Sequence, residues 1–167
     1  MGRTIQAESH TNEFHWVLKY EHSADVVELW CQPSVLDLRY AGPTGKRTIA
    51  RHTPDYFVLR QKSAGWEECK LEKDLVQLAT KSPNRYQLMG DTWRCPPGEA
   101  YAESFGLYYR LNSSALISIN FVRNMIWLED FLLDKQPLSQ EIVDKVKRFL
   151  ESHPAVTLEE VFREFGC

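Results

Sequence analysis

The 167 residues predict an α/β fold, a mixed sheet flanked by helices and followed by a short helical C-terminal segment. Three observations carry this. Segments near 34–40, 48–51, 56–60 and 66–70 alternate apolar with other side chains, the period of a strand. Stretches at 11–20 and 71–80, on either side of them, place apolar residues three and four apart, the period of a helix. After residue 113 the helical spacing returns.

Taken in order, the first helix spans 11–20, with Phe14, Val17 and Leu18 at core spacing and Trp16 beside them. Val26 and Leu29 read as an apolar connection into a strand within 30–40. Gly42-Pro43-Thr44-Gly45 is a turn signal, because glycine and proline together break any regular element. Gln61-Lys62-Ser63-Ala64-Gly65 reads as the loop of a hairpin joining the strands around it. The second helix, 71–80, carries Leu71, Leu75 and Leu78 on one side and stops at Ser82-Pro83-Asn84. Cys95-Pro96-Pro97-Gly98 marks a sharp break, and 107–111 reads as a late strand. Ser113 or Ser114 caps a longer helix through Ile117, Phe121, Met125, Leu128 and Leu132. Ser139 opens a helix with Ile142, Val146 and Leu150. Thr157-Leu158-Glu159-Glu160 has capping-box form ahead of Val161, Phe162 and Phe165. The expected division is a main domain over 1–135 and a helical segment over 136–167, the start of a helix-turn-helix or winged-helix module that packs back on the main domain or continues in a longer polypeptide.

Hydrophobic residues make up 43% of the chain and aromatic residues 12%, enough for one good core. The net charge of −3 argues against a protein that binds nucleic acid strongly by itself. Local basic groups exist nonetheless: Lys46, Arg47, Arg51 and His52 precede Asp55, and Arg60 and Lys62 lie at the hairpin tip, where they would meet phosphates. Cys31, Cys69, Cys95 and Cys167 have neither zinc-site spacing nor a disulfide framework, which fits a reducing cytoplasm. His10, His15, His22, His52 and His153 show no metal-ligand spacing. No apolar run reaches membrane-spanning length, and the amino terminus lacks a basic-then-apolar signal pattern. The expectation is a soluble, intracellular protein with no membrane partner.

The chemistry concentrates in Thr53-Pro54-Asp55 and Glu68-Cys69-Lys70. Residues i and i+2 of a strand share a face, so Glu68 and Lys70 point the same way and Glu67 the other, outward. If the two strands pair, Asp55 meets Glu68, and two carboxylates so placed repel each other unless a hard divalent cation lies between them. Magnesium fits, with the backbone carbonyl of Cys69 as a further oxygen ligand. Lys70 would then orient and help deprotonate a metal-bound water and balance phosphate charge in the transition state. Without Asp55, Glu68 and Lys70 would read as an ordinary ion pair worth little.

These residues resemble the PD-(D/E)XK nuclease superfamily. Over about residues 8–80 the order of motifs is similar to that of TnsA, the endonuclease subunit of heteromeric cut-and-paste bacterial transposases. Ser9-His10-Thr11-Asn12-Glu13 opens a helix, Gln32-Pro33 enters a strand, a basic hairpin tip follows, and then come Thr-Pro-Asp and Glu-x-Lys. The resemblance implies a restriction-endonuclease-like domain that cleaves DNA with Mg2+, Mn2+ serving as a substitute. It implies Asp55, Glu68 and Lys70 as catalytic residues with Glu13 as the helical acid, and Asp55, Glu68, Glu13 and the Cys69 carbonyl as metal ligands. Glu68 stands where some TnsA relatives carry Gln. The implied role is cutting the non-transferred strand at transposon ends, in the bacterial cytoplasm, with a DDE-type transposase and an ATPase regulator as partners that residues 136–167 would contact. A restriction, repair or phage nuclease, and a non-catalytic module bridging transposase and regulator, are the alternatives.

Overall fold

The computed structural model describes residues 12–42, 44–133 and 139–165. The predicted helix start at Thr11, Ser9 and His10 before it, Pro43 of the predicted turn, residues 134–138 and Cys167 lie outside them. The chain divides into two compact units, residues 1–126 and 127–167, so the boundary falls inside the long helix rather than after it.

The first unit is mixed α/β, built on a mixed four-stranded sheet flanked by helices. Helix α1, Asn12–Glu21, leads into β1, Val26–Cys31. Strands β2, Leu36–Ala41, and β3, Arg47–His52, pair with each other as a separate antiparallel ribbon. Strands β4, Tyr56–Arg60, and β5, Ala64–Lys70, form the expected hairpin with a shorter loop, since Ala64 and Gly65 of the predicted loop pair with Leu59 and Val58. Helix α2, Glu72–Lys81, follows, then a small hairpin of β6, Gln87–Met89, and β7, Thr92–Arg94. Helix α3, Pro96–Glu103, and strand β8, Tyr108–Ser113, complete the core. The sheet order is β1-β4-β5-β8, with the first two pairings antiparallel and β5–β8 parallel.

Several expectations change here. Residues 26–31 form an edge strand and not a connection, and the long strand expected within 30–40 is two strands. Gln32 divides them in the left-handed region, at φ 45°. The Cys95-Pro96-Pro97-Gly98 break is a helix start, since the first turn of a helix leaves its N–H groups unpaired and loses nothing to proline. Ser113 does cap, but it caps a single 3-10 turn, Ser114–Leu116, by accepting the Ala115 N–H at 3.1 Å. The long helix α4, Ile119–Leu133, starts after it.

Two apolar clusters lie on opposite faces of the sheet. Tyr56, Val58 and Cys69 meet Trp16, Val17 and Tyr20 of α1. The other face carries Tyr109 and Leu111, packed with Leu36 and Leu38 of the ribbon, Leu75 of α2, Trp93 of β7 and Ala102 of α3. Gly65 permits the parallel pairing, because a Cβ there would come within 2.1 Å of the Tyr108 carbonyl oxygen. With both faces covered, β5 buries every charged group it carries except Lys70.

Glu67 shows the consequence. The alternation expectation placed it outward; it does lie on the opposite face from Glu68, but that face is under α1, and Glu67 is 0% exposed. Its carboxylate accepts from Tyr20 Oη at 2.7 Å, Arg60 Nη2 at 2.8 Å, Tyr108 Oη at 2.8 Å and Asn112 Nδ2 at 2.6 Å. Burial alone would raise its pKa, yet Arg60 and the other donors hold it below the ordinary value.

The second unit contains α5, Gln140–Ser152, and α6, Leu158–Phe165. Ser139 is the N-cap residue of α5, and the capping box at Thr157 is formed: Glu160 N–H donates to Thr157 Oγ1 at 3.3 Å and Thr157 N–H to Glu160 Oε2 at 2.8 Å. Phe149 and Phe165 meet edge-on at 5.5 Å.

Removing a single partner from a buried ionic network strands the others without solvent. Glu67→Ala is therefore expected to cost about 3–5 kcal/mol of stability, measured by chemical denaturation. A loss below 1 kcal/mol would contradict the role given to this network.

Candidate active site

The β4–β5 register pairs Tyr56 with Glu67, and one further step sets Asp55 against Glu68, as the hairpin pattern requires. Asp55 lies at the start of β4, where Gln32 N–H donates to its carbonyl at 2.8 Å. Its side chain accepts the Cys69 N–H through Oδ2 at 2.6 Å, and among the described residues no hydrogen bond reaches its other oxygen. Asp55 is thus anchored at one oxygen and only partly compensated, by the Lys70 charge. Burial, joined by the charges of Glu68 and Glu13, pushes its carboxyl up from 3.8 to about 6 against the opposing Cys69 N–H and Lys70.

Glu68 is the reverse case. It is 1% exposed. Tyr109 Oη donates to its Oε2 at 2.7 Å, and His52 Nε2 meets the same oxygen in a close contact. Its Oε1 has Lys70 Nζ at 2.5 Å and accepts no other hydrogen bond among the described residues. Burial would raise its pKa, but the His52 contact and the Lys70 charge outweigh this and hold the carboxyl at about 2. Lys70 in turn stays protonated: burial works against its charge, and Glu68 more than restores it, so its pKa lies above the ordinary value.

A cleft of about 370 Å³ opens onto this group, lined by Asn12, Glu13, Cys69, Lys70, Asp74, Gln77 and Lys81. Glu13, Cys69 and Lys70 line this cleft, and Asp55 and Glu68 adjoin its lining, Asp55 through the Cys69 N–H and Glu68 through Lys70. Larger hollows exist, among them one between α5 and α6 and one lined by Arg94, Glu99, Glu103 and Arg110, but neither adjoins Asp55 and Glu68.

The expected phosphate-contacting residues separate. Lys46, Arg47 and Arg51 are exposed on or beside β3, and Lys62 is exposed at the β4–β5 turn. Arg60 is committed elsewhere, its guanidinium bonding Glu67 at 2.8 Å, Asp25 at 2.9 Å and Tyr108 at 3.1 Å. It serves the interior and leaves no fork free for a phosphate.

Sequence reasoning missed several residues. His52 had been grouped with the basic residues ahead of Asp55, and Tyr109 sat unremarked within the late strand. Asn12 is 5% exposed, and among the described residues its Oδ1 has no hydrogen-bond partner. Asp74, Gln77 and Lys81 follow one another at helical spacing of three and four, a pattern that places them on one face of α2 beside Lys70.

Among the described residues no group of three or more His, Cys, Asp or Glu side chains stands placed to enclose a metal ion. Any cation here would rely on one or two carboxylates with backbone, amide or water oxygens, which is how magnesium is ordinarily held. Compared with known proteins, the chain matches no protein-family model and no curated sequence at a significant level. No helix among the described residues is long and apolar enough to cross a membrane.

The raised carboxyl of Asp55 has a thermodynamic signature. Because the folded group binds its proton more tightly than the unfolded one, the stability it contributes is full below pH 3.8 and is lost as pH rises through about 6. In metal-free buffer Asp55→Asn is expected to be more stable than wild type above pH 6, by up to about 3 kcal/mol, and level with it near pH 4. Denaturant melts at the two pH values check this; a difference independent of pH would contradict it.

Proposed function

We propose that this protein is a magnesium-dependent DNA endonuclease of the restriction-endonuclease-like type, hydrolysing phosphodiester bonds at the cleft between α1, β5 and α2. The observation that carries the proposal is the grouping of Asp55, Glu68 and Lys70 around Cys69, next to a cleft that Glu13 and Lys70 line. The element order supports it as well: a helix, three antiparallel strands, a crossover and a parallel fourth strand, with the acids at the meeting ends of the second and third.

The residues fit a hard cation. Among the described residues Asp55 carries a carboxylate anchored at one oxygen only, Glu68 presents Oε1 beside Lys70, and Asn12 leaves a buried amide oxygen without a hydrogen bond. Asp55, Glu68 and the Cys69 carbonyl would hold the ion, with Glu13 supporting it. When bound, Mg2+, or Mn2+ in its place, supplies Lewis acidity at the phosphate and makes a coordinated water more acidic.

The remaining work falls to the chain. Lys70 keeps its proton at neutral pH, so its part is to donate to the attacking water and the phosphate rather than to accept a proton. Gln77 and Lys81 extend the cleft with further donors in reach of a nucleic-acid backbone. Lys46, Arg47, Arg51 and Lys62 supply the exposed positive charge for duplex DNA. With a net charge of −3, firm engagement falls to partners.

The ordered motifs give this nuclease its place: cleavage of the non-transferred strand at transposon ends, with a DDE-type transposase and an ATPase regulator. That role comes from resemblance, while the cleft supports the hydrolytic chemistry.

Plasmid DNA incubated with protein and Mg2+ or Mn2+ tests the chemistry. Wild type is expected to nick or linearise it, and Asp55→Ala and Lys70→Ala each to lose at least about 100-fold in rate while remaining folded. Undiminished cleavage by both variants would overturn the proposal.

A further inference from the structure

We infer that His52 and Tyr109 are positioning residues of the Asp55–Glu68 site, holding one oxygen of Glu68 so that the other is offered to a cation. The inference rests on the nuclease reading and names two residues that none of the expected motifs contains. Both reach Glu68 from other elements: His52 closes the ribbon strand β3, and Tyr109 lies on β8, in parallel register beside β5. Tyr109 Oη donates to Glu68 Oε2 at 2.7 Å, and His52 Nε2 contacts the same oxygen and lies 2.9 Å from Tyr109 Oη. The three groups form a closed triangle, which requires the imidazole hydrogen on Nε2 and the phenol hydrogen on Glu68.

The geometry divides the carboxylate. With Oε2 facing two donors, its lone pairs are occupied, while among the described residues Oε1 has the Lys70 ammonium alone as polar neighbour. A carboxylate fixed in this way cannot rotate to chelate an ion through both oxygens, and its rotational freedom is lost before any ion arrives. The clamp itself is packed in place. Tyr109 is 6% exposed, and the absence of a side chain at Gly98 lets α3 lie against its ring, where a Cβ would stand 2.8 Å from ring carbons. His52 stands three residues before Asp55, so one short segment, His52-Thr53-Pro54-Asp55, both supplies an acid of the site and orients the other.

Manganese binding followed by calorimetry or electron paramagnetic resonance tests this without DNA. His52→Ala and Tyr109→Phe are expected to weaken Mn2+ binding about 10–100-fold while retaining a cooperative melt. His52→Gln, which keeps an N–H donor, is expected to recover most of the loss, whereas packing alone would not distinguish glutamine by its donor. Unchanged affinity in both His52→Ala and Tyr109→Phe, or a His52→Gln variant as weak as His52→Ala, would overturn the positioning role alone. Wild type that binds no Mn2+ would overturn the nuclease reading and this inference with it.

Discussion

Strand β5 must bury two adjacent carboxylates, one on each of its faces, and the rest of the molecule is arranged around that constraint. Glu67 and Glu68 are 0% and 1% exposed, so neither has water to solvate it. A buried carboxylate that stays ionised needs several donors or a cation. The fold gives the two acids different answers, and the difference separates a structural role from a chemical one.

On the α1 side, Glu67 is fully supplied. Tyr20 from α1, Arg60 from β4, and Tyr108 and Asn112 from β8 all converge on it, so the network ties the first helix to both neighbours of β5. On the other side, Glu68 is supplied at one oxygen and exposed to charge at the other, and Asp55 opposite it is left short of partners. The result is a depressed carboxyl beside an elevated one, at about 2 and about 6. Of the two, Asp55 costs stability at neutral pH while Glu68 contributes it, and a cost like that of Asp55 recurs where polar groups are arranged for chemistry. The Glu67 network opposes that cost from the far face of the same strand.

Much of this was legible in the sequence because it is local. The i, i+2 rule put Glu68 and Lys70 together, but Asp55 faces Glu68 only because Ala64 and Gly65, expected in the loop, already pair in β5. Helices α1, α2 and α5 followed from apolar spacing, and the Thr157 capping box from its four residues. What escaped depends on distant contacts. Alternation assigned Glu67 to the correct face but not to burial, because only the arrival of α1 covers that face. Strand β1 was hidden by a register shift between Val26 and Glu28 and by its exposed edge position, both of which erase alternation. Strands β6 and β7, three residues each, are too short to show a period. His52 looked like one more basic group near Asp55, since nothing in β3 reveals that its ring crosses to Glu68.

The central claim is that Asp55 and Glu68 share a divalent cation. Anomalous scattering from a crystal soaked in manganese tests it most directly. A single strong peak within bonding distance of an oxygen of each carboxylate, on the Oε1 side of Glu68, is the predicted result. No peak at that position in a soak that leaves Asp55 and Glu68 accessible, or a peak only elsewhere on the molecule, would contradict it.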